Sequence, residues 1–119
     1  MSEPLAPARR IRAILPDDGT DRQLLEELHA GGRALRVHVG PLRAVAGLQD
    51  PRRSRRRLPP SRAARVVTVI AEPAEADALF EWICRAARIG RPGGGMVMMD
   101  RVLGATRFEL PPAMPPEHD

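Results

Sequence analysis

Three consecutive glycines, Gly93, Gly94 and Gly95, sit between an amphipathic run and a short apolar run in the stretch AARIGRPGGGMVMM, Ala86 to Met99. Lacking Cβ atoms, they let the backbone take positive φ and let another group approach closely. Successive main-chain N–H groups in such a turn form an anion-binding concavity. Arg91, two residues before the glycines, adds a fixed positive charge whose fork suits phosphate. The same composition also describes a flexible turn between a helix and a strand, and it does not separate the two readings. A Walker loop is excluded, because no Lys-Ser/Thr pair follows the last glycine. A dinucleotide-binding fingerprint is excluded too, since here the helix precedes the strand.

The other chemistry-bearing residues are scattered. His29 ends a helical pattern, where a cation is favourable; His38 lies on the polar side of a strand pattern, and His118 is close to the C-terminus. None has a Cys or His neighbour at metal-ligand spacing. Cys84 rules out an internal disulfide as the single cysteine and reads as small core filler. Asp17, Asp18 and Asp21 are accounted for by favouring a helix N-terminus. Trp82 points away from the apolar stripe of its helix, as a contact residue or as a half-buried cover. With no acid–base pair, nucleophile–base pair or metal cluster, no enzyme is expected.

The chain has 119 residues, enough for one small domain with a real core. All 19 basic residues are arginine, and the formal net charge is +4. Residues 51–65, PRRSRRRLPPSRAAR, hold seven arginines and no acid; removing them leaves 12 basic against 15 acidic side chains, a net charge of −3. One concentrated cationic loop therefore projects from a mildly acidic body, and it should attract anionic partners in a salt-dependent way. MSEPLAPARR lacks an apolar signal core, and nowhere do 18 apolar residues run together. A soluble cytoplasmic protein without membrane insertion is expected.

Positioning the glycine stretch requires the following elements. Residues 9–15 read as a first strand stopped by Pro16. Thr20-Asp21-Arg22-Gln23 reads as a capping box, Leu24, Leu25 and Leu28 as the apolar stripe of the helix it starts, and Gly31-Gly32 as its stop. Leu35, Val37 and Val39 alternate with Arg36 and His38, a strand with one wet face. After Gly40-Pro41, Leu42 to Ala46 either extend that strand or begin a loop. Val66, Val67, Val69 and Ile70 form the most apolar strand. Pro73 suits a helix first turn, and Ala76, Leu79, Phe80, Ile83 and Ala87 mark the packed face of that helix. Met96 to Leu103 supplies a fourth strand, with Thr106 to Leu110 as a short fifth.

The resulting class is α+β, a ferredoxin-like βαββαβ sandwich with an antiparallel sheet and two helices on one face. Strands with apolar residues on both sides, such as Val66-Val67 and Met98-Met99, imply that something covers the other face.

The order strand, helix, strand, long loop, strand, helix, glycine loop, strand resembles the P-II signal-transduction superfamily. IGRPGGGMVMMDRVLG is similar to that family's second signature, through Pro92-Gly93-Gly94-Gly95, the apolar run Met96 to Met99, and Val102-Leu103-Gly104. The resemblance spans residues 9–110, with an effector loop at about 40–62, a flexible N-terminus at 1–8 and a flexible proline-rich tail at 111–119. It implies a homotrimer whose sheets face inward and whose intersubunit clefts bind ATP, ADP, AMP or cyclic AMP, with no required cofactor. Carried over, Gly90, Arg91, Pro92, Gly93, Gly94 and Gly95 become the phosphate loop. The family's late-strand arginines fall near Gly104 and Thr106, so Arg101 and Arg107 stand as candidates from a neighbouring subunit. Its lysine after the glycines is replaced by Gly95.

In the family the long loop reaches into a membrane transporter or metabolic enzyme. Here Arg52, Arg53, Arg55, Arg56, Arg57 and Arg62 would carry that recognition through contacts to carboxylates; the plainer reading is a solvated charge run. No tyrosine is present, so the family's tyrosyl uridylylation cannot occur. Ser54 lies between arginines as a phosphorylation candidate. Gln49 stands without the motif of a magnesium and 2-oxoglutarate site. The expected function is a non-enzymatic regulator, with a nucleic-acid-binding module acting through the arginine loop as the alternative.

Overall fold

The computed structural model describes residues 6–31, 36–45 and 61–105. Strands β1 (Ala6–Pro16), β2 (Arg36–Val45), β3 (Ser61–Ala71) and β4 (Met96–Ala105) alternate with helices α1 (Thr20–Ala30) and α2 (Pro73–Ala86) in the order β1 α1 β2 β3 α2 β4. The strands form one sheet in the order β2-β3-β1-β4, with every neighbouring pair antiparallel. This is the expected ferredoxin-like α+β arrangement.

Period-two alternation explains where the core sits. Ile11, Ala13 and Leu15 of β1 face the same way as their β3 partners Val69, Val67 and Arg65. Apart from Arg65, these residues are buried with Leu24 and Leu28 of α1 and with Ala76, Leu79 and Ile83 of α2. The stripe anticipated on α2 is the packed one: Ile83 and Ala87 are completely inaccessible and Phe80 packs half-buried against them. Trp82 also packs half-buried on this core, which selects the cover reading.

Four local readings are corrected or made definite. First, β1 starts at Ala6 rather than residue 9, so residues 6–8 belong to the sheet: Ala6 and Ala8 pair with Ala105 and Val102 of β4, and Ala8 is buried. Pro7 hid this extension. It is tolerated because it lies at a register shift between Ala6 and Ala8, before the pairing with β3 begins at Arg9. Second, β2 runs straight through Gly40-Pro41 to Val45, paired with β3 from Arg36↔Ile70 to Val45↔Ser61. Pro41 is acceptable there because β2 is an edge strand. Residues 40–45 and 61–62 of the expected effector loop are therefore strand.

Third, Thr20 does not cap α1. The N-cap is Gly19 at φ +92°, with no side-chain cap bond. The Thr20 amide and hydroxyl both donate to the Asp18 carboxylate, so an aspartate two residues upstream does what the Thr-x-x-Gln box was expected to do. Fourth, Gly31 ends α1 with a right-handed φ of −72° while its N–H donates to Glu27 O. Gly32, the loop at 46–60, the fifth strand and the tail lie outside the described residues. None of the described helices is long and apolar enough to cross a membrane.

Candidate functional site

The glycine loop begins where α2 ends. Arg88 N–H donates to Arg85 O and Ile89 N–H to Cys84 O, the paired bonds of a Schellman closure. The residue at the left-handed position is Arg88, at φ +54°, where glycine is the usual occupant. Two further turns follow, with Arg91 N–H donating to Arg88 O and Gly94 N–H to Arg91 O. The amides of Gly93 and Gly95 take no part in these bonds.

Two of the three glycines are required by packing. A Cβ on Gly94 would lie 2.7 Å from Arg88 O and 2.8 Å from Ile89 O, and one on Gly95 would lie 2.0 Å from Ile14 O. Gly93 and Gly95 also have φ of +70° and +96°. The loop is thus a closely built turn seated on the end of β1.

Arg91 is already engaged. Its Nη2 donates to Thr20 Oγ1 at 2.8 Å and to Asp18 Oδ2 at 3.2 Å, while its buried Nε has no partner among the described residues. The Asp18 carboxyl is held below the usual carboxylate range, chiefly by the hydrogen bond from the Thr20 hydroxyl, then by the Thr20 amide, with Arg91 adding to both. From the sequence, Asp17, Asp18 and Asp21 are accounted for only as helix-terminus residues. In fact Asp18 holds the glycine loop, and Asp21 Oδ2 accepts from Arg65 Nε of β3 at 3.0 Å. No signal in the chain pairs residues 44 and 73 positions apart.

Asp17 faces a third feature, a cavity of about 330 Å³ lined also by Pro41, Leu42, Arg43, Ala63, Ala64 and Arg65. Its β2 and β3 residues lie two to four positions from the strand ends at Val45 and Ser61. Arg43 is held there by a long bond, Nη1 to Ser61 Oγ at 3.5 Å.

The sheet face away from the helices follows from the register. One row across it is Gly40, Val66, Ile14 and Met96; the next is His38, Thr68, Arg12 and Met98; the third is Arg36, Ile70, Arg10 and Asp100. Met96 is 49% exposed, and Arg12 Nε is buried without a partner among the described residues. Arg10 Nε donates to Asp100 Oδ1 at 3.1 Å directly across the strands. That bond, with the charge of Arg10, holds the Asp100 carboxyl below its usual range.

Arg101 is exposed on β4 opposite Arg9. It stands six residues along the strand from Gly95, about 20 Å, so within one chain it does not join the glycine loop. Arg62 is exposed on β3. Arg52, Arg53, Arg55, Arg56, Arg57 and Arg107 lie outside the described residues, as do Gln49, Ser54 and His118. His29 and His38 are exposed, and Cys84 is half-buried.

No family model and no curated protein matches this chain. Among solved structures, it is similar to the crystal structure of Arabidopsis thaliana PII bound to citrate, with a TM-score of 0.58 at 17% sequence identity, covering 85% of this chain and 79% of that one. The likeness is one of fold. The P-II-like fold therefore extends over most of the chain, with the glycine loop and the β2–β3 hairpin on the same scaffold.

Proposed function

We propose that this chain is a non-enzymatic, P-II-like regulatory protein that binds a small anion and acts on a partner protein. The observation that carries the reading is the likeness of fold to a P-II protein over 85% of the chain. The citrate of that relative supports a small anionic ligand, and the tightly built glycine loop from Gly90 to Gly95 supplies a place for one. An adenine nucleotide (ATP, ADP, AMP or cyclic AMP) is the ligand class we propose, bound between subunits with Arg101 or Arg107 reaching in from a neighbour. The apolar row Val66, Ile14 and Met96 favours copies of the chain covering the sheet, as a trimer. The arginines from Arg52 to Arg57, with Arg62, carry recognition of an acidic surface on the partner, a transporter or a metabolic enzyme.

Calorimetry on an assembly of verified stoichiometry tests this reading. A saturable heat with one of the four nucleotides, or with citrate, is expected. An assembly that takes up none of them removes the ligand-sensing function. A salt-sensitive shift of RNA or DNA that disappears when Arg52–Arg57 are neutralised would instead favour nucleic-acid binding.

A further inference from the structure

The five residues from Asp17 to Asp21 touch both regions on which regulation would depend. Asp18 and Thr20 hold Arg91 of the glycine loop, and Asp21 holds Arg65 of β3. Arg65 is paired across the strands with Pro41 of β2, four residues before that strand ends at Val45. Asp17 lines the cavity that Arg43 and Arg65 also line. We propose that the β1–α1 turn is a two-armed clamp coupling the glycine loop to the base of the β2–β3 hairpin, so that displacing either arm shifts the other.

The geometry between the arms is stiff. The Thr20 hydroxyl donates to Asp18 and accepts from Arg91, and the residue is 4% exposed. Gly19 takes a left-handed φ of +92°. Asp21 belongs to the first turn of α1, so its position follows the helix terminus. Upstream, Gly95 rests on the carbonyl of Ile14, three residues before Asp17. A group that draws Arg91 away from Asp18 therefore pulls on the terminus of α1, and through Asp21 on Arg65. The buried core need not rearrange. Chains of packed side chains and hydrogen-bonded ion pairs carry coupling of this kind, and these contacts supply such a chain.

Hydrogen exchange measured by mass spectrometry on the full, ligand-free chain tests the clamp. One arm is cut by Asp18→Asn or Arg91→Gln, the other by Asp21→Asn or Arg65→Gln. Since each arm can be cut from either partner, a variant that fails to fold is replaced by its counterpart. Cutting the first arm should speed exchange of amides 61–65 and 42–45 about threefold or more, besides those of 88–95. Cutting the second should do the same to 88–95. The doubly cut protein should depart from the product of the single effects. Acceleration confined to the arm that was cut overturns the proposal. So does a uniform acceleration that includes Arg9, Arg10 and Asp100, because that reports general loosening of the sheet. With no ligand present, failure here leaves the nucleotide and citrate titrations to be judged separately.

Discussion

Gly95 and the carbonyl of Ile14 are packed so closely that a single added carbon on the glycine would lie 2.0 Å from the oxygen. The contact joins the start of β4 to the inner end of β1, and it sets where the loop after α2 must turn. It also explains why the glycines are not interchangeable.

Gly95→Ala combines that overlap with a left-handed φ and should destabilise the fold by about 3 kcal/mol or more. At Gly93 the added carbon meets open space, so Gly93→Ala should cost only the backbone strain, about 1 kcal/mol. Urea unfolding of the two variants measures the difference. Equal losses would mean that the loop does not rest on β1.

Arg88→Gly should stabilise the protein. The left-handed closure of α2 penalises arginine, and glycine relieves that strain while adding some unfolded-chain entropy. A net gain of about 0.5–1 kcal/mol is expected, read as a rise of about 2–5 °C in the thermal midpoint.

Acid should weaken the fold through Asp18 and Asp100. Both carboxyls are held below their usual range, so between the folded value and the ordinary aspartate value of about 3.9 the unfolded chain binds more protons. Their contribution is therefore fully present at neutral pH and disappears as pH falls through the folded values. Asp100→Asn should flatten the acid limb of a stability–pH curve obtained from urea melts.

Charge on the uncovered sheet face should disrupt assembly without unfolding the chain. Val66 and Ile14 are half-buried register partners on that face. Val66→Glu should shift the mass measured by light scattering from that of the proposed trimer to a monomer and leave the far-ultraviolet circular dichroism unchanged. An unaltered mass would place the subunit contact elsewhere.

The elements were largely legible because hydrophobic periodicity is a local signal. Val67 and Val69, or Leu79 and Ile83, announce a buried face through spacing alone. Boundaries were less legible where proline appears. The strand read from residue 9 omits Pro7, and Pro41 left two readings open; one proline occupies a bulge and the other an edge strand. Whether a missing N–H matters depends on which strand lies alongside, and that is a property of the sheet.

The candidate site divides along the same line. Gly93 to Gly95 and Arg91 stand out in the chain because glycine and arginine advertise backbone freedom and charge wherever they occur. That Gly95 serves close packing against Ile14, and that Arg91 is already held by Asp18 and Thr20, depends on segments separated by more than 70 residues. Residue types and their spacing dictate local conformation, so strands, helices and the loop followed from the chain. Ion pairs such as Asp21–Arg65 and contacts such as Ile14–Gly95 exist only once antiparallel pairing has brought distant residues together, and only folding in three dimensions could assign them.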